Sequence, residues 1–343
     1  MTALLKPRLI GGLLAGGESA YKVGLWGIDL LYRRRILKVH SFSVPVVSVG
    51  NLTWGGTGKT PMVVQLARYF QSKGRRVAVL TRGYGKDEAR LLTERLHPIP
   101  VLVDPNRVAA GTKAIQEHGA DLLLLDDGYQ QWRLRKDLEI LMVDATAPFG
   151  NDHLIPRGTL REPVSAAARS DLIVVTRADL NPGILKEIEA RLRQVNPRAP
   201  IFFAHYRPIG LTRWPHPEGA EAEPLPLKIL KGRRVCTLAG IAGPQQFEEM
   251  VQKLGAKIAL KYRVGDHHPY TTAAMIRFFS RCQRHGISRI LTTAKDAARF
   301  PDLLVKAIGP DLRGMELLVV EVVLELEPNE GQFLHRIDSL LAR

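Results

Sequence analysis

The sequence predicts an α/β fold: a parallel sheet covered on both faces, then a second, smaller C-terminal α/β lobe. Three observations carry this. Continuous apolar runs, rather than alternating ones, recur between helix-like stretches, as in 122–125 and 172–175, and strands buried on both faces read that way. The β-branched run 44–49 ends in a glycine-rich loop, Gly50 to Gly58, and a helical pattern (Met62, Val63, Leu66, Ala67, Phe70) follows it. Past a proline-rich segment, near residue 232, the alternation of strand-like and helix-like runs begins again.

Residues 1–42 open with an apolar stretch at 9–17 and continue in a helical pattern to the basic group Arg33, Arg34, Arg35 and Lys38. On a helical wheel Tyr21, Leu25, Ile28, Leu31 and Tyr32 gather on one arc, and Glu18, Lys22, Asp29 and Arg33 on another. No apolar run reaches the ~18–20 residues that a spanning helix needs, and no small-residue cleavage site marks a signal peptide. The segment is expected to lie on an anionic membrane surface, where each basic side chain adds about 1 kcal/mol. A helix packed on the domain's own core is the plainer reading, and both can hold at once.

The body of the chain, 43–204, carries further strand-like runs at 76–81, 120–127, 138–144 and 172–176, with a helix-like stretch at 106–119. Ligands of such sheets lie beyond the carboxyl ends of the strands, where the glycine loop, Asp126, Asp127 and Asp144 all fall. Residues 205–231 read as a connector, because Pro208, Pro215, Pro217, Pro224 and Pro226 interrupt any regular pattern. Within 232–343, strand-like runs at 235–239, 257–262, 289–293 and 316–323 alternate with helices from about Pro244 and near 271–285.

Composition bounds the chemistry. The 343 residues are 45% apolar and 24% charged, as in a globular protein long enough for two cores. Two cysteines, Cys236 and Cys282, show no metal or redox spacing and point to a reducing compartment. A net charge of +15 favours a polyanionic partner. Nucleic acid is disfavoured, since aromatic residues are only 6% and no basic–aromatic stripe appears.

The loop closing on Gly58-Lys59-Thr60 is a phosphate cradle of the P-loop NTPase-like kind. Its glycines let backbone N–H groups face phosphate oxygens, and the following helix adds its positive end. Asn51, Thr53, Gly55, Gly56, Thr57, Gly58, Lys59 and Thr60 are the expected nucleotide-binding residues. Lys59 is expected to reach the β- and γ-phosphates, and the Thr60 hydroxyl to hold Mg²⁺. Thr53 stands where the usual spacing asks for glycine. The run 122–125 leading into Asp126-Asp127 is the apolar-strand-then-acid device that places a metal opposite such a loop. Asp266-His267 has the types for proton transfer, but adjacent histidines, with His268 the second, are also common in solvated loops. Thr293-Ala294-Lys295-Asp296 reads as a helix-start cap, and the 150–163 loop offers Arg157 and Arg161.

Taken together, these blocks resemble the tetraacyldisaccharide 4′-kinase family, the lipid A 4′-kinases of Gram-negative bacteria. The resemblance rests on the 49–61 loop, Arg82-Gly83-Tyr84-Gly85, Asp126-Asp127-Gly128-Tyr129-Gln130, Leu160-Arg161-Glu162-Pro163, Ala239-Gly240-Ile241, Asp266-His267 and Lys295-Asp296, in family order. The family's loop also lacks the first glycine, which agrees with Thr53. Asp152, Thr159 and Lys136 depart from the family's usual glycine, proline and arginine.

The resemblance implies transfer of the ATP γ-phosphoryl group to the 4′-hydroxyl of an acylated disaccharide 1-phosphate, with ATP and Mg²⁺ as cofactors. It implies Asp126 as base, aided by His267, with Lys59 stabilising the transferring group and Asp127 and Thr60 serving Mg²⁺. Arg82, Tyr84, Asn151 and Arg161, with Glu18 and Ser19, are its candidates for substrate contact. It places the enzyme on the cytoplasmic face of the inner membrane of a Gram-negative bacterium. The partners are the lipid A disaccharide precursor and the anionic membrane surface, with no nucleic acid and no obligate protein partner. Rival readings are a regulatory P-loop NTPase, for which 293–296 only partly matches a guanine-reading loop, and a nucleic-acid-dependent ATPase.

Overall fold

A computed structural model describes residues 5–83, 86–179, 182–215, 224–265, 268–301, 314–327 and 330–342. The chain is mixed α/β with parallel strand pairing, and it divides into two units. Unit 1 comprises residues 1–83, 95–206 and 324–343; unit 2 comprises 84–94 and 207–323.

In chain order the elements are α1 (Leu5–Arg33), β1 (Val46–Gly50), α2 (Lys59–Ser72), β2 (Val77–Thr81), α3 (Lys86–Leu96), β3 (Val101–Val103), α4 (Arg107–His118), β4 (Leu122–Asp126), β5 (Leu138–Asp144), β6 (Leu172–Thr176), α5 (Pro182–Val195) and β7 (Ile201–Trp214). There follow β8 (Arg234–Ala239), α6 (Pro244–Lys253), β9 (Lys257–Arg263), α7 (Thr272–Arg284), β10 (Arg289–Thr293), α8 (Ala294–Ala297), β11 (Glu316–Glu327) and α9 (Glu330–Leu341).

In unit 1 the strand order is β3-β2-β4-β1-β5-β6-β7, and each neighbouring pair is parallel. β4, Leu-Leu-Leu-Leu-Asp, is buried along its whole length between β2 and β1. That is why it reads as an unbroken apolar run. Its register pairs Val49 with Asp126, so the acid lies beside the last turn of strand before the glycine loop. One core cluster joins Ala78, Leu80, Leu123 and Leu125 to Ala110 and Ala114 of α4. Another joins Leu141, Val143, Ile173 and Val175 to Ile188 and Leu192 of α5.

α1 packs part of its expected apolar arc on the domain and leaves other apolar side chains exposed. Tyr21 and Leu25 pack against the α5-side cluster, and the Tyr21 hydroxyl donates to the Arg161 carbonyl at 2.8 Å. Leu13, Val23 and Trp26 remain 76%, 67% and 66% exposed, and Ile28 and Leu31 are also exposed. None of the described helices is long and apolar enough to cross a membrane.

Unit 2 orders its strands β11-β10-β8-β9, again parallel. Cys236, Leu238, Ile290, Leu317 and Val319 enter one core cluster. Val235, Ala239, Leu291, Leu318 and Val320 enter another, as a two-residue side-chain period requires of a sheet covered on both faces. The expected connector at 205–231 is partly regular instead. β7 continues through Pro208 to Trp214, Leu211 bridges Leu225, and Leu227–Leu230 forms a 3₁₀ turn. Proline excludes a residue only from positions that must donate to a ladder.

Candidate active site

The phosphate loop runs from the end of β1 into α2, and its backbone has the shape an anion needs. Gly58, the residue before α2, takes φ 87° and has no side chain with which to cap the helix. A Cβ at Gly58 would come within 2.8 Å of the Tyr206 hydroxyl, so neither the conformation nor the space admits a larger residue. α4 makes the contrast: the Asn106 side chain accepts from the N–H groups of Val108 and Ala109. The first-turn N–H groups of α2 receive no such cap from Gly58, which leaves them available to a ligand. The buried Thr57 hydroxyl and Asn51 Nδ2 have no partner among the described residues. Buried donors left over in this way fit a phosphate-binding cradle.

Thr53 has a structural place. It bridges Leu160, and the Trp54 N–H donates to the Thr159 carbonyl at 2.6 Å. The Arg161 N–H donates to the Leu52 carbonyl at 2.7 Å. The 150–161 loop therefore braces the outer side of the phosphate loop.

Side chains meet where β1 and β4 end. Lys59 Nζ lies 3.2 Å from Asn51 Oδ1 and 3.6 Å from Asp127 Oδ1. Arg161 holds Asp127 in a two-pronged pair, Nη1 to Oδ2 and Nη2 to Oδ1, each at 2.8 Å. The same Nη2 donates to the Asn51 carbonyl at 3.0 Å and also contacts the Asn51 side-chain oxygen. Burial alone would raise the Asp127 carboxyl; the Lys59 charge and the hydrogen bonds and charge of Arg161 outweigh it and hold the pKa at about 2. Asp127 is thus an anion at neutral pH. Asp126 is buried and accepts from the Thr81 hydroxyl at 3.2 Å.

Behind this layer Gln130 Nε2 donates to the Asn51 carbonyl and to Glu162 Oε1, both at 3.0 Å. Arg169 donates to both Glu162 oxygens, at 2.7 and 2.8 Å, and its guanidinium lies 3.9 Å from the Tyr129 ring centre. Lys136 points inward, bonded to Glu139 at 2.9 Å and to the carbonyls of Gly128 and Tyr129 at 3.4 Å.

The other candidates divide. Arg82 is exposed just past β2. Asn151 is exposed in the 150–152 turn with φ 54°. Glu18 accepts from the Leu154 N–H at 2.9 Å and lies 3.2 Å from His153 Nδ1 and 3.3 Å from Arg157 Nη1, so it ties α1 to the 150–160 loop. The Ser19 hydroxyl donates back to the Ala15 carbonyl within its helix. Tyr84 and His267 lie outside the described residues.

Sequence reasoning passed over Arg107. It is 2% exposed, and its Nε and Nη2 have no hydrogen-bond partner among the described residues. Burial pulls its pKa down to about 10 against the opposing charge of Asp126. An arginine at a helix start is ordinary in sequence; only its burial beside the strand-end acids sets it apart.

A family-wide profile of the tetraacyldisaccharide-1-P 4′-kinases matches residues 13–342. The tetraacyldisaccharide 4′-kinase of Anaeromyxobacter dehalogenans strain 2CP-C is 37% identical over 341 residues, covering 93% of this chain and 87% of its own. That of Desulfatibacillum aliphaticivorans is 34% identical, covering 87% of this chain and 84% of its own. The crystal structure of LpxK from Aquifex aeolicus in complex with ATP aligns at a TM-score of 0.73 and 25% identity, over 97% of this chain and 99% of that one.

Proposed function

The chain belongs to the tetraacyldisaccharide-1-P 4′-kinase family, and from that premise we propose that it transfers the γ-phosphoryl group of ATP to the 4′-hydroxyl of a tetraacyldisaccharide 1-phosphate. The observation that carries this reading is the closed group Asn51, Lys59, Asp127 and Arg161 at the strand ends, beside an uncapped helix start.

Phosphoryl transfer asks for positioning and charge neutralisation more than for covalent chemistry. The α2 N–H groups and Lys59 hold the phosphates. Asp126 accepts the hydroxyl proton as the 4′-oxygen bonds to the γ-phosphorus and the bond from that phosphorus to the β,γ-bridging oxygen breaks, releasing ADP, and His267 assists the proton transfer. The Thr60 hydroxyl and the Asp127 carboxylate are hard oxygen donors of the kind Mg²⁺ takes. A bound Mg²⁺ would add charge neutralisation on the β- and γ-phosphate oxygens. Arg161 fixes the Asp127 carboxylate in orientation, and Asn51 ties that pair to the loop. Arg82, Tyr84 and Asn151 are carried as contacts for the sugar or the nucleotide. Glu18 acts by holding the 150–160 loop, with Ser19 beside it.

We assign residues 1–42 to the anionic cytoplasmic face of the inner membrane, 43–204 to the kinase domain, 205–231 to the connection and 232–343 to the second lobe. The exposed Leu13, Val23 and Trp26 on a helix that ends in exposed arginines support the membrane assignment.

The test is a labelled-phosphate assay in detergent with Mg²⁺ and γ-labelled ATP, with and without tetraacyldisaccharide 1-phosphate. Label at the 4′ position that disappears in Lys59→Ala is the expected result. ATP turnover without labelled lipid, over several acyl forms, would turn the reading to a regulatory NTPase.

A further inference from the structure

Asp127 takes φ 55°, a left-handed conformation that a residue with a Cβ keeps only where its surroundings hold it there. The turn that follows it is tied to β1. The Gly128 N–H donates to the Val49 carbonyl at 3.1 Å. The two backbones approach so closely that a Cβ on Gly50 would fall 2.6 Å from the Tyr129 nitrogen. One on Gly128 would fall 2.5 Å from the Ser48 hydroxyl.

Four charged side chains hold the carbonyls of this turn. Two are buried acids, Glu139 and Glu162, only 6% and 2% exposed; two are half-buried bases, Lys136 and Arg169. Arg169 donates from Nη1 to Glu162 Oε2 at 2.7 Å and from Nη2 to Glu162 Oε1 at 2.8 Å. The same Nη2 donates to the Tyr129 carbonyl at 2.9 Å. Lys136 Nζ, bonded to Glu139 Oε1 at 2.9 Å, reaches the Gly128 and Tyr129 carbonyls at 3.4 Å. Arg169 Nε lies 3.3 Å from Glu139 Oε2, so the two acid–base pairs form one electrically balanced group. Buried charges are costly unless paired and hydrogen-bonded, and a satisfied network holds its members in one arrangement.

Gln130 joins this group to the site. Its Nε2 donates to Glu162 Oε1 and to the Asn51 carbonyl, both at 3.0 Å. Arg161 Nη2 reaches the same Asn51 carbonyl at 3.0 Å while its guanidinium grips the Asp127 carboxylate. The backbone behind Asp127 and the carboxylate in front of it are thus both referred to one carbonyl oxygen.

We propose that Gln130 and Arg169, joined through the Glu162 carboxylate, are positioning residues that hold the turn after β4 so that Asp127 presents its carboxylate to a divalent cation. This gives the Asp126–Gln130 and Leu160–Pro163 blocks a shared role, and it rests on the reading of Asp127 as an Mg²⁺ donor.

Gln130→Met tests it, because it removes the Nε2 donor at nearly the same volume. The Glu162–Arg169 pair and the Arg161 bond to Asn51 stay in place. The readout is ADP affinity by calorimetry on the full chain, measured with Mg²⁺ and again in EDTA. Loss of a partner behind a metal ligand typically costs about 10- to 100-fold in metal affinity. The gain in ADP affinity that Mg²⁺ brings is therefore expected to fall about tenfold, while affinity in EDTA stays within about twofold of wild type. Arg169→Lys, which keeps the charge but loses the fork, should repeat that pattern. Ile188→Val, in the α5-side core cluster, is the stability control: it should lower Tm and leave both affinities unchanged. In an Asp127→Asn background, Gln130→Met should cost nothing further, since residues acting as a unit are non-additive. A wild-type Mg²⁺ gain in either positioning variant, or an equal loss with and without Mg²⁺ or with and without Asp127, overturns the proposal. A wild-type Mg²⁺ gain in Asp127→Asn alone would instead sink the underlying reading of that carboxylate as a metal donor, so the two failures are distinguishable.

Discussion

Arg161 grips both carboxylate oxygens of Asp127 at 2.8 Å, and its Nη2 also reaches back to the Asn51 carbonyl at 3.0 Å. One guanidinium thus locks the strand-end acid to the first residue of the phosphate loop. The Arg161 carbonyl in turn accepts from Tyr21 on α1, so the N-terminal helix, the brace loop and the cradle share one contact point.

A planar fork makes that geometry, and lysine cannot reproduce it. Arg161→Lys should lower kcat by about 10- to 100-fold, the loss of a charge-assisted hydrogen bond worth about 1.5–3 kcal/mol. Steady-state kinetics with labelled ATP measures it. Turnover unchanged by the swap would show that the charge alone suffices.

The same pair predicts an acid limb of stability. The folded-state pKa of Asp127, about 2, lies below its ordinary 3.8. Its stabilising contribution is therefore complete above the unfolded value and is lost as pH falls from there through about 2. Thermal melts from about pH 5 to about pH 2.5 should show wild type losing more stability than Asp127→Asn. Parallel curves would mean that the carboxylate gains nothing from Lys59 and Arg161.

Lys59→Ala and Asp126→Ala should each lower kcat by at least ~10², the low end for general acid–base catalysis. Retained turnover in folded Asp126→Ala would remove it as the base.

Arg107 separates activity from stability. Its guanidinium is buried with Nε and Nη2 unpartnered among the described residues, and an incompletely paired buried charge is a cost to the fold. Arg107→Met should leave Tm level or raise it while lowering kcat by about tenfold or more, the loss expected when a buried charge beside the strand-end acids contributes to charge stabilisation. A fall in Tm with kcat intact would mark it as structural.

The exposed face of α1 predicts lipid binding through apolar contact and charge together. Replacing Val23 and Trp26 by serine should weaken binding to anionic vesicles by about tenfold or more, since each large apolar side chain fully buried is worth about 1.5–3 kcal/mol. Replacing Arg33, Arg34 and Arg35 by glutamine should flatten the salt dependence instead. Vesicle co-sedimentation reads both, and wild-type binding in all variants would leave α1 a purely structural helix.

Much of the fold was legible because strands buried on both faces write themselves as unbroken apolar runs. Leu122–Asp126 and Leu172–Thr176 fall within the runs the sequence places at 120–127 and 172–176. The three-residue β3 and the helices α3, α5 and α9 were not singled out; short or amphipathic elements carry a weaker signal. The strand β7 ran on through Pro208, because a proline reports a missing donor and not whether that donor was needed.

The sequence by itself determined the cradle, because a strand, a glycine turn and a helix start are consecutive and their geometry is local. Lys59 and Thr60 stand out from the loop itself, and the Asp126-Asp127 pair from its place after an apolar strand downstream of that loop. What tertiary structure decided is which distant side chains face one another. Arg161 meets Asn51 from 110 positions away, Glu18 turns to the 150–160 loop, and Lys136 points into the protein instead of toward solvent. Residue type limits what a charged group can bond; only the folded backbone sets which partner comes within hydrogen-bond reach and how far water is excluded from the pair.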